Sequence, residues 1–219
     1  MTNMQLSLPK AVLFDWDNTL INNWPVTHYA INKLLQHYGM PEVSMEDLKN
    51  RPGKSARETF PLLFGPQWKE AADYYYKAYQ EIHLERLSPL PYAEDSLRFL
   101  KDKAIPMGIV SNKRGDNLRA EIHHLGWGHY FQAVVGSYDT SHDKPSSIPV
   151  HHALNQLNHQ AGPQVWFIGD NEVDMATAHH ANLTGIFIND FQSFDKLKYT
   201  HPLAVCFENL KNLIDSLDS

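Results

Sequence analysis

The chain has 219 residues, 42% of them hydrophobic and 20% charged, with a net charge of −6 and an isoelectric point near 6.1. This length suits one sizeable domain or a core domain with an insertion, and the acidic balance argues against a nucleic-acid or anionic-membrane surface. No apolar run approaches a membrane span and the start lacks a basic-then-apolar signal pattern, so a cytoplasmic location is expected. Cys206 is the one cysteine. It lies in an apolar run and is expected to be a buried, unreactive thiol in a reducing compartment. The thirteen histidines include the adjacent pairs His123-His124, His151-His152 and His179-His180. Neighbours on a helix face different directions, so these read as surface residues rather than metal ligands.

The chain opens on Lys10-Ala11-Val12-Leu13-Phe14-Asp15-Trp16-Asp17-Asn18-Thr19-Leu20. The apolar run reads as a short strand buried on both faces, and it runs directly into two carboxylates. In an open α/β sheet the carboxyl edge is where ligands bind. Asp15 there would serve as nucleophile or metal ligand, and Asp17 as proton donor or acceptor. Asn18-Thr19 argues that the chain turns at this point.

From residue 22 to residue 87 the pattern is helical, with no strand. Ile31, Leu34, Leu35 and Tyr38 mark one helix face that Gly39 ends. Ser44 with Asp47, and Ser55 with Glu58, predict capped helix starts. Pro61 is expected to kink or stop the helix that Ser55 opens. A long helix then carries Trp68, Ala71, Ala72, Tyr75, Tyr79 and Ile82 on one stripe, and the cluster Tyr74, Tyr75, Tyr76 and Tyr79 is read as packing between helices. Asn22-Asn23-Trp24-Pro25 and Ser88-Pro89-Leu90-Pro91 bracket the block as turn-rich boundaries.

Beyond residue 88 helices and strands alternate. Strands are expected at 106–110, 133–135, 165–168, 185–188 and, weakly, 203–207. Helices are expected at about 92–103, 116–125 and 172–181, with others around Val150 to Leu157 and Leu210 to Leu217. Such alternation predicts a parallel sheet covered on both faces, which the first strand joins. The fold class is therefore α/β, a Rossmann-like parallel-sheet core with an inserted all-helical segment.

Three further strand ends carry polar residues. Ser111-Asn112-Lys113 offers a hydroxyl and a backbone N–H suited to a phosphate oxygen. Lys144-Pro145 precedes a helix. Gly169 runs into Asp170, with Asp174 on the next helical turn, an oxygen-rich corner of the kind hard cations take. Taken together, Asp15-Trp16-Asp17-Asn18-Thr19, Ser111, Lys144-Pro145 and Gly169-Asp170-Asn171-Glu172-Val173-Asp174 resemble the four motifs of the haloacid-dehalogenase-type phosphohydrolases. The likeness spans nearly the whole chain, and the helical insertion is similar to that family's small cap. The layout is most similar to the phosphoglycolate phosphatase and β-phosphoglucomutase-like branch. Asn18 stands where the family usually has Gly, and Asn is the residue that best replaces Gly in left-handed backbone.

The resemblance implies a core of residues 1–21 and 88–219 and a cap of 22–87. It implies that Asp15 is the nucleophile and Asp17 the general acid and base, with Ser111 and Lys144 as the other catalytic groups. It further implies Mg²⁺ held by Asp15, the backbone carbonyl of Asp17 and Asp170, with Asp174 either a further ligand or just behind them. Ser111, Asn112 and Lys113 would bind substrate, joined by Arg51 and Lys54 from the cationic cap turn Arg51-Pro52-Gly53-Lys54-Ser55-Ala56-Arg57. The expected substrate is a small phosphorylated metabolite, handled by a monomer or homodimer. A phosphomutase, a dehalogenase and a non-catalytic binding protein remain alternatives. Asp17, Asp170 and Asp174 together count against the dehalogenase, which needs neither metal nor proton for a halide.

Overall fold

A computed structural model describes residues 7–50, 55–189 and 205–217. The described residues form a six-stranded, fully parallel sheet. Its strands are β1 (Ala11–Phe14), β2 (Met107–Arg114), β3 (Ala133–Ser137), β4 (Val165–Gly169), β5 (Thr184–Ile188) and β6 (Val205–Phe207). They lie in the order β3-β2-β1-β4-β5-β6. The chain builds outward from β1 on one side and then crosses to β4 on the other. The strand order therefore reverses beside β1, the place where an open α/β sheet leaves a crevice.

All four residues of β1 are completely buried, because parallel strands need cover on both faces. Val12 and Phe14 pack on one face with Leu97, Leu118, Ile122, Leu210 and Leu213. These come from α5 (Ala93–Asp102), α6 (Gly115–His124) and α9 (Leu210–Leu217). Ala11 and Leu13 pack on the other face with Val150, Ala153, Leu154 and Ala178. These belong to α7 (Ile148–Gln156) and α8 (Glu172–His180). Burying an aliphatic or Phe side chain of this size contributes roughly 1.5–3 kcal/mol.

Residues 22–87 carry α1 (Trp24–His37), α2 (Met45–Lys49), α3 (Ala56–Phe64) and α4 (Trp68–Ile82). They hold an apolar cluster of their own that includes Ile31, Leu34, Leu35, Phe60, Ala71 and Ala72. The two chain crossings into this block are bonded to each other. Asn22 N donates to Ser88 O at 2.9 Å, and Leu90 N donates to Leu20 O at 2.9 Å.

Some local expectations need correction. Strand β2 runs on through Ser111-Asn112-Lys113, so these residues sit within the strand, at a register shift against β3, and not beyond its end. Pro61 lies inside α3 without stopping it; the helix ends at Gly65, which has φ +51°. Ser44 caps α2 as expected, its Oγ accepting from Asp47 N at 3.0 Å. Ser55 makes no such cap, because its hydroxyl is turned to Asp143 of the sheet-bearing part. Cys206 is only half-buried, since β6 is an edge strand.

Asn18 has φ +63°, the left-handed conformation that its side-chain chemistry tolerates. Its Oδ1 also accepts from Asn23 N at 3.1 Å, tightening the turn that carries both acids. Asn18→Gly keeps the turn and should lose only the bond to Asn23, about 0.5–1.5 kcal/mol in urea unfolding, whereas Asn18→Val should lose roughly a further 1–3 kcal/mol through backbone strain. A Val variant as stable as wild type would contradict the left-handed turn.

Candidate active site

The carboxyl ends of β1, β2 and β4 and the loop after β3 open into a cavity of about 1220 Å³. Asp15, Asp17, Ser111, Asn112, Lys113, Lys144 and Asp170 line it from the sheet. Thr27, Ile31, Phe60, Tyr75 and Tyr76 line it from the helical block. The tyrosines expected only to pack between helices thus also wall this cavity. Arg51 and Lys54 lie outside the described residues.

Lys144 organises the acids. Its ammonium is buried and donates to Asp15 Oδ1 at 2.7 Å and to Asp174 Oδ1 at 2.6 Å. Burial works against the charge, but Asp15 and Asp174 outweigh it and hold the lysine pKa above its ordinary value. Asn112 fixes the backbone of this residue at both ends: Lys144 N donates to Asn112 Oδ1 at 2.8 Å, and Asn112 Nδ2 donates to Lys144 O at 3.0 Å. The amide expected to bind substrate is thus engaged in placing the lysine.

Asp174 is completely buried at the third position of α8. Its Oδ2 accepts from Asp170 N at 3.1 Å and Asn171 N at 3.2 Å, so both oxygens are occupied. Burial is the main force raising its pKa to about 6, and Lys144 pulls the other way. Gly169 makes room for it. A Cβ at position 169 would sit 2.3 Å from Asp174 Cγ. Asp170 accepts a hydrogen bond from the Thr19 hydroxyl at 3.1 Å. Burial, then Asp174 and Asp15, push the pKa of Asp170 well above the usual carboxylate value.

Asp15, Asp170 and Asp174 each present an oxygen within 4.8 Å of the others. Three carboxylates face one ammonium here, and all the donors are hard oxygens. Such a set fits a divalent cation, whose charge would relieve the surplus that raises Asp170.

Asp17 has different company. Its side chain is one-quarter exposed, and Lys113 Nζ lies 2.6 Å from its Oδ1 as an ion pair without good hydrogen-bond alignment. Burial first, with Glu121 and Asp15 adding to it against Lys113, raises its pKa to about 7. A carboxyl of that pKa is available both as an acid and as a base near neutrality. Trp16, between the two acids, turns into the core, where it is completely buried and meets Trp127 edge-on at 5.9 Å.

Several participants were not singled out in the sequence. Thr19 was read only as part of a turn. Glu121, on α6, is a wholly buried carboxylate. The available signal was an acid interrupting the apolar stripe of Leu118 and Ile122. Its neighbours on α4 and just beyond, Tyr79 and His83, come from the helical block. His83, unlike the adjacent histidine pairs, is buried. Arg57 faces the sheet-bearing part and not the cavity: its Nη2 lies 2.9 Å from Asp143 Oδ1, and Ser55 Oγ donates to Asp143 Oδ2 at 2.7 Å.

Known proteins carry the same arrangement of chain. The model of the haloacid dehalogenase-like hydrolases matches residues 12–188. Phosphoglycolate phosphatase from Chromobacterium violaceum is 26% identical over 194 residues, covering 84% of this chain and 87% of that protein. Pyrophosphatase PpaX from Bacillus pumilus is 28% identical over 178 residues, covering 81% and 82%. The crystal structure of a haloacid-dehalogenase-superfamily hydrolase from Ehrlichia chaffeensis is 32% identical, covers 96% of each chain and superposes with a TM-score of 0.65. With the matched segment running from β1 to the end of β5, and the acids and lysine of all four motifs gathered at one sheet edge, the chain belongs to the haloacid dehalogenase-like hydrolase family.

Proposed function

We propose that the chain is a Mg²⁺-dependent phosphatase acting on a small phosphate monoester through an aspartyl-phosphate. Residues 1–21 and 88–219 are its catalytic core and residues 22–87 its cap. The observation that carries this reading is the pairing of each acid with its own lysine: Asp15 with Lys144 at 2.7 Å and Asp17 with Lys113 at 2.6 Å. Two carboxylates two residues apart are thereby given separate surroundings and separate roles.

In the first step Asp15 attacks phosphorus, an Oδ–P bond forms, and the ester P–O bond breaks. Asp17 gives its proton to the departing alkoxide. In the second step Asp17 takes a proton from water as the water oxygen attacks phosphorus, which frees Asp15 and inorganic phosphate. An anionic nucleophile approaching a phosphate meets repulsion, and Lys144 and the hydroxyl of Ser111 offset part of it. Mg²⁺ held by Asp15, the Asp17 backbone carbonyl and Asp170, with Asp174 behind, would supply the remaining positive charge. The names borne by the relatives, phosphoglycolate phosphatase and pyrophosphatase, make 2-phosphoglycolate and pyrophosphate the first substrates to assay. A phosphomutase would use the same nucleophile and return the phosphoryl group to a second hydroxyl of its substrate. Transfer within a sugar phosphate, without release of phosphate, would favour it.

Activity should vanish in excess chelator and return with Mg²⁺; full turnover in chelator would refute the metal requirement. Both Asp174 oxygens are already engaged, so Asp174→Asn should weaken apparent Mg²⁺ affinity about 10- to 100-fold, and Asp170→Asn should weaken it more. A reversed order in a Mg²⁺ titration would reassign the ligands.

Asp15→Asn should abolish hydrolysis of every ester and leave no phosphoenzyme. Asp17→Asn should slow an alkyl ester most, because its alkoxide needs a proton. With p-nitrophenyl phosphate it should still phosphorylate Asp15 and then accumulate the intermediate, because water is no longer activated. Intact-mass detection after acid quench reads both outcomes. Turnover by the Asp15 variant, or identical behaviour of the two variants on all esters, would overturn the division of roles.

A further inference from the structure

Lys113 and Glu121 form a buried unit that reaches from the helical block to Asp17. Lys113 Nζ lies 2.5 Å from Glu121 Oε2 and 2.6 Å from Asp17 Oδ1. Trp16 Nε1, the residue between the two acids, donates to the same Glu121 oxygen at 2.7 Å. On its other oxygen Glu121 meets His83 Nδ1 at 2.9 Å and the Tyr79 hydroxyl at 2.9 Å, both from the helical block. The Tyr79 hydroxyl lies also 2.7 Å from Asn23 Oδ1, in the crossing between β1 and α1. Its single proton serves one of these two acceptors at a time.

Glu121 is completely buried and Lys113 nearly so. A buried carboxylate is costly unless its partners surround it, and four groups do so here. If this cluster only glued helices to sheet, an apolar set of similar volume would serve as well or better. What an apolar set could not do is carry an ammonium to the edge of the cavity and hold it against Asp17. The ion pair to Asp17 is poorly aligned for a hydrogen bond, so Asp17 does not fix the ammonium by itself. Glu121 supplies the anchor.

We infer that Lys113 is a positioning residue for the general acid, holding the Asp17 carboxylate in place while Glu121, clasped by Tyr79 and His83 of the helical block, holds Lys113. This inference rests on the phosphatase reading above and assigns the arrangement of one of its two acids. Lys113 then acts wherever Asp17 moves a proton, at the departing alkoxide and at the attacking water, and has little part in the attack by Asp15. A purely structural cluster would slow leaving-group release from every ester alike.

The test compares an alkyl ester, glycerol 2-phosphate, with p-nitrophenyl phosphate in the full-length protein with Mg²⁺, reading for each the single-turnover rate of leaving-group release, which precedes hydrolysis of the phosphoenzyme, and KM. In the charge-balanced double variant Lys113→Met/Glu121→Gln, which strands no buried ion, the ratio of alkyl to p-nitrophenyl release rates should fall about tenfold or more, within the range that a general acid contributes. The KM values should move by less than about threefold, a factor under 0.7 kcal/mol. Glu121→Gln alone should lower the same ratio in the same direction, and Lys113→Arg, which restores a cation, should recover part of it. Should the double variant fail to fold by circular dichroism, Glu121→Gln decides by the same ratio. An unchanged ratio with the release rate falling equally on both esters, or a loss confined to KM, would overturn the inference while leaving the phosphatase reading intact. A wild-type protein that hydrolyses neither ester would overturn both.

Discussion

The structure depends on keeping like charges together at the end of a buried strand. Asp15, Asp170 and Asp174 crowd within 4.8 Å of one another, and the Lys144 ammonium between two of them is what makes this tolerable. In an interior that screens poorly, three carboxylates without a cation would spring apart or take up protons. Much of the local architecture serves this lysine. Asn112 grips its peptide from β2, α8 presents Asp174 to it through its first turn, and Gly169 lacks the side chain that would force Asp174 away. Remove any of these and the lysine loses either its position or its partner.

A second cation does for Asp17 what the first does for Asp15, but with a different balance. Lys113 divides itself between Asp17 and Glu121, and Glu121 takes the larger share of hydrogen bonding. Burial raises the Glu121 carboxyl, yet Lys113, His83 and Trp16 together bring it down to about 2, so it stays ionised. Asp17, raised by burial and by Glu121 and Asp15 beyond what Lys113 offsets, reaches about 7. Two carboxyls beside one lysine thus differ: Glu121 stays ionised, and Asp17 is poised near neutrality. Environment, not identity, separates them.

The sheet, its helices and the placement of the helical block were legible because they follow from periodicity: β1 is apolar throughout, and the later strands alternate with amphipathic helices. Asp15 and Asp170 were legible because each stands where a strand gives way to a turn, Lys144 and Asp174 through their place in the motif pattern, and Asn18 because only a few residue types accept a positive φ. What could not be read is pairing across long separations. Nothing local tells that Ser55 would forgo its helix cap for Asp143, that Asn112 would bind a peptide 32 positions later, or that Glu121 would gather Trp16, Tyr79 and His83. Each such side chain has a satisfactory local alternative, and tertiary packing overrides it. Arg57 is the plainest case. Its sequence neighbourhood suggests a substrate cation, whereas its guanidinium sits on Asp143, next to Lys144 in the chain.

The two crossings that lead into and out of the helical block run side by side, joined by backbone hydrogen bonds at Asn22–Ser88 and Leu20–Leu90. A segment whose ends already meet adds no strain to the sheet that carries it, because the gap it must span is closed before it begins. The helices between residues 22 and 87 can in this sense vary in length and lining while β1 keeps its register with β2 and β4, provided Tyr79 and His83 keep their hold on Glu121 and Ser55 and Arg57 theirs on Asp143. The far wall of the cavity, to which Thr27, Ile31 and Phe60 contribute, can therefore diverge within one continuous stretch of chain, with the acids and lysines left where they are.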